Sequence, residues 1–297
     1  MKKVVAYTVY ALIAVMLCGC NVNVSHLVSG DGVYLNGSCT EEDIDFSEER
    51  TVARFEDINV SGPFNVHFMQ SDACRVLVEG KEEFVSNLLT EVRDEELFIR
   101  LKPGKYENPV LRVTVWAPVI EDLVSRGGGN IICGDIDMSM ADISLSSAGS
   151  GDILAGNITC NELVLSMAGS GDAKFSGKIS VTDDFDAAIA GSGDITLSAV
   201  ECNEAGLSSA GSGSLNAASI RTQEDLSVSL AGSGDAFIGN VSVGKDMKLK
   251  IAGSGDINVN GECGKLETTT LGSGNITGNV KYTNLRSETH GSGKVSL

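Results

Sequence analysis

The sequence predicts an all-β protein: a single-stranded, right-handed β-helix of roughly 20-residue coils behind an N-terminal β-rich cap. Three observations carry that expectation. Gly-Ser-Gly begins at residues 149, 169, 191, 211, 232, 253, 272 and 291, and Gly127-Gly128-Gly129 stands one period earlier as a divergent copy. The steps between copies are 22, 20, 22, 20, 21, 21, 19 and 19 residues, a period that tolerates small insertions as stacked coils do. Apolar residues recur at fixed offsets from each copy, and helix-period patterns are absent from residue 127 onward.

Those offsets define the strands of each coil. Four residues after each copy begins stand Ile131, Ile153, Ala173, Ile195, Leu215, Ala236, Ile257, Ile276 and Val295. Two residues further come Cys133, Ala155, Phe175, Leu197, Ala217, Ile238 and Val259, with a mixed position between the two columns. Such period-two alternation marks a strand with one buried face. A second column holds Ile136, Ile158, Ile179, Val200, Ile220 and Val241, and a third holds Ile143, Leu163, Phe185, Ala205, Leu226, Met247, Leu266 and Leu285. Three short strands per coil are therefore expected. Stacked strands rise ~4.8 Å each, so nine coils would form a rod of roughly 40 Å. Parallel crossovers favour the right-handed sense.

Four segments follow in order. Residues 1–19 read as a signal peptide: Lys2 and Lys3 precede the apolar run 4–17, which is too short to span a bilayer comfortably. The ending Leu17-Cys18-Gly19-Cys20 resembles the lipobox of bacterial lipoproteins, in which a cysteine is acylated. Cys20 fits that role; Cys18 does not, because bulky Leu17 precedes it. Residues 20–50 read as the lipidated cysteine and a tether, 51–126 as the β-rich cap and 127–297 as the repeats. In the cap, FNVHFM, CRVLVEG, ELFIRL and LRVTVWAP alternate as strands, and KEEFVSNLLTEV has a helical spacing. After Cys20, Asn-Val-Asn-Val lacks the acidic run that resembles a surface-export signal. The expected location is the outer membrane of a Gram-negative envelope, with the periplasmic face favoured over the surface face.

Composition narrows the partners. The formal net charge is −18, and residues 21–126 and 127–297 each carry 20 acids and 10 bases. Acidity spread this evenly argues against nucleic acid or anionic head groups as partners of the folded part. The membrane is expected to be reached only through the lipid on Cys20.

The residues after Gly-Ser-Gly would form a ladder on stacked coils: Asn130, Asp152, Asp172, Asp194, Ser214, Asp235, Asp256, Asn275 and Lys294. One reading makes Asp152, Asp172, Asp194, Asp235 and Asp256 a cation ladder, since calcium takes several carboxylate oxygens. The other makes the motif a turn, with Gly149, Gly151, Gly169, Gly171, Gly191, Gly193, Gly232, Gly234, Gly253 and Gly255 supplying backbone freedom and Ser or Asp bonding the turn's own amides. Asn and Ser replace Asp in several copies, which keeps an acceptor but loses charge, so the turn reading is preferred.

Other chemistry-bearing residues are sparse. Cys160, Cys202 and Cys263 share a column with Met138, Val181 and Val243, which marks them as core, too far apart along the stack for disulfides. One bond among Cys39, Cys74 and Cys133 is open. His26 and His67 stand outside the repeats, and His290, at a position usually Ala, reads as an end cap. Asp183-Asp184 is the acidic pair that polysaccharide hydrolysis would need, but it reads as a solvated loop. No catalytic residue, metal site or cofactor is assigned.

Residues Phe55-x-x-Ile58-x-Val60-Ser61-Gly62-Pro63-Phe64-x-Val66, Val78-Glu79-Gly80, Thr90-Glu91-Val92 and the run from Val113-x-Val115 to Gly129, with the glycine-rich coils behind them, resemble the "putative auto-transporter adhesin, head GIN domain" family of bacterial envelope proteins. The resemblance spans about residues 51–297 and implies an extracytoplasmic β-helix. It supplies no catalytic residues. The expected function is thus a non-catalytic, lipid-anchored envelope protein, an adhesin or scaffold whose rod binds a macromolecule or glycan. The alternative is a β-helix enzyme degrading polysaccharide with outward acids. The last coil, Val295 to Leu297, is expected to offer an edge for self-association.

Overall fold

A computed structural model describes residues 44–107 and 109–297. Cys20, with the signal and most of the tether, lies outside the described residues, as do His26 and Cys39. The described chain is a β-solenoid of about eight parallel turns of about 21 residues.

Each regular coil contributes two strands, not the expected three. Asp184–Gly191 and Ile195–Cys202 make one coil, and Glu204–Gly211 and Leu215–Thr222 the next. The first and second apolar columns lie on one bent strand. The bend is absorbed by register shifts between Phe175 and Lys178 and between Ile238 and Val241. Such bulges turn a strand without breaking its ladder, so the corner that separates the columns leaves no loop. In an earlier coil the fusion falls differently: Ile153–Ala155 is separate, and Ile158–Gly169 carries the second and third columns together.

Pairing follows the sequence alignment of the copies. Leu163 lies beside Phe185, Phe185 beside Ala205, Leu226 beside Met247 and Met247 beside Leu266, all in parallel. The strand pattern sends these residues inward, where Leu163, Phe185, Leu226, Met247 and Leu266 have no exposed surface. Burying each large aliphatic side chain contributes about 1.5–3 kcal/mol. Each of the two repeat phenylalanines borders an alanine on one side: Phe175 lies between Ala155 and Leu197, and Phe185 between Leu163 and Ala205.

Stacking starts before residue 127. Asp57–Ser61 pairs in parallel with Asp122–Gly127, and Asn65–Gln70 with Ile131–Cys133, so residues 57–70 form a coil of their own. On its other side sit Glu96–Leu101 and Leu111–Ala117, also parallel. The spatial order is therefore not chain order: residues 57–70 lie between residues 96–117 and residues 122–133. Beyond them the sheets end in antiparallel strands, Leu88–Arg93 on one side and Arg75–Gly80 with Phe46–Thr51 on the other. These turn the exposed edge away from parallel growth, as a cap must.

The helical spacing in KEEFVSNLLTEV is mostly overridden. Only Glu82–Val85 is helical, one turn long, and Leu88–Arg93 is a strand. It returns through Asp94 and Glu95, both at positive φ (51° and 66°), the geometry of a two-residue hairpin. Pairing with Glu96–Leu101 satisfies a ladder that a short surface helix would leave open.

Candidate functional site

The Gly-Ser-Gly-Asp corner is a clamp between coils. The Asp172 side chain accepts the Asp194 N–H at 2.8 Å, and Asp152 accepts that of Asp172 at 2.9 Å. Asp194 does the same for Ser214, Asp235 for Asp256 and Asp256 for Asn275. Asn65 makes the same bond with the Asn130 N–H on the cap side, and Asn275 with that of Lys294 on the far side. The side chain therefore serves the next coil's amide rather than its own turn, because stacking brings that N–H nearest. Serine amides add a second rung: Ser192 donates to the Gly169 carbonyl and Ser212 to the Gly191 carbonyl, both at 2.9 Å. Other corners use the same device, with Asp135 accepting the Asn157 N–H and Asn157 that of Lys178. At Asp135 the bonds from Asn157 hold the carboxyl below its ordinary pKa.

One oxygen of each ladder carboxylate is thus committed to backbone. Among the described residues, no group of three or more His, Cys, Asp or Glu is arranged to hold a metal ion. Asp172→Asn keeps the acceptor and is expected to leave stability within about 0.5 kcal/mol, whereas Asp172→Ala orphans the Asp194 N–H and should cost about 1 kcal/mol. Urea midpoints of the two variants check this.

A second line of acids runs along the opposite corner. Asp142, Glu162, Asp184, Glu204, Asp225 and Asp246 occupy equivalent positions on six successive coils, and Lys265 follows. Each directly precedes an inward residue of the third apolar column, so the aligned copies carried the signal. Desolvation raises the Glu204 carboxyl above its ordinary pKa, with Asp184, Asp225, Glu224 and Asp183 adding to the shift. Asp186, open to water in front but flanked by neighbouring coils, is raised by desolvation first and then by Asp184 and Glu204. Glu121 and Asp57 extend the raised group toward the cap. Near the far end the line is partly compensated: Lys248 lies 3.5 Å from Asp225 and Lys265 lies 3.9 Å from Asp246.

A carboxyl with a raised folded pKa adds stability below its unfolded pKa and loses it as pH rises through the folded value. Asp186→Asn combined with Glu204→Gln is therefore expected to melt ~1–2 °C above the parent at pH 7, with the advantage vanishing toward pH 4. Thermal melts across that range provide the check.

Beside the acid line lies a shallow groove of about 370 Å³. Its floor is the outward face of the strands that end in Ala-Gly-Ser-Gly: Ala188, Ala210, Ala231 and Ala252 line it, with Asp186 and Glu162 at one rim and Lys250 and Leu271 at one end. Small residues at these outward positions leave the trough, which runs across several coils.

The remaining singled-out residues are scattered. Asp184 opens a strand and belongs to the acid line, while Asp183 sits in the preceding turn, where its carbonyl accepts the Asn203 N–H at 2.8 Å. The loop expected for the pair is thus only half a loop. His67 lies on the strand Asn65–Gln70, its pKa lowered by burial and then by Arg112. His290 is exposed on the last long strand. Cys160, Cys202 and Cys263 are buried free thiols, and burial pushes the first two up to about 12. Cys74 and Cys133 are free as well.

A family model described as "putative auto-transporter adhesin, head GIN domain" matches residues 54–242 and 226–297. The chain belongs to this family. Solved structures share the fold of this chain. One is described as a putative lipid binding protein from Parabacteroides distasonis ATCC 8503, 19% identical, covering 89% of this chain and 100% of that one, with a TM-score of 0.64. A putative adhesin from the same organism is 19% identical over 90% of this chain and 99% of that one, at a TM-score of 0.61. A putative adhesin from Bacteroides fragilis NCTC 9343 is 18% identical over 87% and 98%, at 0.51. At these identities the likeness is one of fold. No curated protein sequence matches the chain. Among the described residues no helix is long and apolar enough to cross a membrane.

Proposed function

We propose that this head GIN protein is a non-catalytic, lipid-anchored protein of the outer membrane, held through Cys20, whose rod presents the alanine-floored groove and its acid line to a macromolecule or glycan. The groove carries the reading. It is shallow, open along the stack and lined by small aliphatic and hydroxyl side chains, a surface suited to an extended ligand rather than to enclosing a small substrate. The neighbouring carboxylates favour ligands that carry positive charge. The acids stand side by side on one line, whereas glycoside hydrolysis places its two carboxyls on either side of the scissile bond. The family description supports an adhesive role, and the relative described as lipid-binding is consistent with an apolar floor.

Two experiments test this. Cys20→Ser should move the full chain from the membrane fraction to the soluble fraction; unchanged membrane association would sink the anchor. Protease treatment of intact cells then sorts the role. Digestion while periplasmic controls survive supports adhesion, and survival until the outer membrane is opened removes adhesion and leaves an envelope scaffold.

A further inference from the structure

The strand Asn284–Gly291 differs from every equivalent strand before it. All eight of its residues are exposed, and among the described residues it pairs only with Lys265–Gly272. Leu285 continues the third apolar column but is 45% exposed, whereas Leu266 one coil earlier is 0% exposed. The Ser287 hydroxyl accepts a bond from Thr268 at 2.8 Å, which places Leu285, Ser287 and Thr289 on the inward side. Arg286 and Glu288 point outward and pair with each other at 2.7 Å. The strand therefore offers an unpaired backbone edge, an uncovered strip of core and an alternating charge pattern.

We propose that this strand pairs antiparallel with the same strand of a second copy, about a two-fold axis through Ser287. The register follows from backbone geometry. In antiparallel pairing, opposed residues either both direct their N–H and C=O groups at each other or both direct them away. A strand paired with its own copy must then oppose residues of equal parity, which leaves three central registers. Centring on Arg286 puts two guanidinium groups face to face, and centring on Glu288 does the same for two carboxylates. Centring on Ser287 opposes Arg286 to Glu288 twice and Leu285 to Thr289 twice. Charge selects the third register, since opposite charges across a pair stabilise and like charges do not. It also keeps the inward residues of both copies on one face, so the two interiors continue into each other.

This arrangement has a functional consequence that rests on the anchored reading above. The described chain enters at the capped end, so a two-fold at the other end sets the two caps at opposite ends of a doubled rod of roughly 80 Å. Anchored copies would then bridge two opposed membranes.

Cross-linking of the full chain tests the pairing. Opposed Cα atoms lie ~4.5–5.5 Å apart, within disulfide range, so S287C should give a covalent dimer on mild oxidation. Exposed mid-rod K174C and the unaltered chain provide the comparison. Adding R286E to S287C should lower dimer yield at limiting concentration roughly tenfold, and R286E/E288R should restore it. A dimer yield for S287C no greater than for K174C overturns the pairing. So does indifference to R286E, or failure of the double exchange to rescue. Vesicles bearing the lipidated full chain should also cluster, and R286E vesicles should not. Cross-linking without clustering would overturn the membrane bridge while leaving the pairing in place.

Discussion

Gly193→Ala is expected to destabilise the rod by roughly 3 kcal/mol or more, although it adds a single methyl group. A Cβ at Gly193 would overlap the Gly171 carbonyl oxygen and lie 2.7 Å from the Gly171 carbonyl carbon. Both belong to backbone of the coil below, so no rotamer change can relieve the clash. The same overlap with the preceding coil recurs at Gly171, Gly234 and Gly255. Because each coil contacts only its neighbours, the damage should concentrate at one interface and split the stack there. Gly134→Ala is the control: nothing lies within 4 Å of an added Cβ, and its cost should stay below about 0.5 kcal/mol. Urea unfolding followed by circular dichroism separates the two. Equal midpoints would show that the coils part readily enough to admit a side chain.

Phe185→Ala carries the other large expected effect, about 3–5 kcal/mol. The Phe185 ring has no exposed surface, and its stack neighbours are Leu163 and Ala205. Deleting it opens a cavity that two backbone ladders hold apart, which limits collapse. Because Ala205 is the small member of that pair, adding Ala205→Phe to Phe185→Ala should recover part of the loss by moving the ring one coil along. The double mutant restores volume, so its midpoint tells whether the interior needs this order of large and small residues or only their sum.

The acid line and the ladder differ in what they ask of charge. Asn65, Asn130 and Asn275 perform the same clamp as the aspartates, so the ladder is a hydrogen-bonding device. Along the acid line no Asn intervenes between Asp142 and Asp246; Asp225 there also accepts the Asp246 N–H at 3.0 Å. Desolvation raises the Glu204 carboxyl and that of the adjoining Asp186 above their ordinary range, a direction that opposes charge at those two positions. A surface that retains charge at a cost to stability is where a ligand is best sought.

Period-two alternation and the recurrence of Gly-Ser-Gly by themselves determined the coil, its length, the inward columns and the buried thiols, since those properties repeat locally in every copy. The acid line was written there too, one residue ahead of Ile143, Leu163, Phe185, Ala205, Leu226 and Met247. Tertiary structure alone decided how the columns join, because a bulge such as that between Phe175 and Lys178 looks in sequence like a break between strands. It alone decided the order of the first coils as well. Residues 57–70 carry Gly62-Pro63-Phe64 where later copies carry Gly-Ser-Gly, and Phe64 is buried without exposed surface, so nothing local marks them as a coil. Their place between residues 96–117 and 122–133 depends on pairing between segments far apart in the chain. For the same reason Leu88–Arg93 is a strand despite its helical spacing, and each aspartate meets the amide of the next coil. Local sequence sets which groups need partners, and stacking determines which partners come within reach.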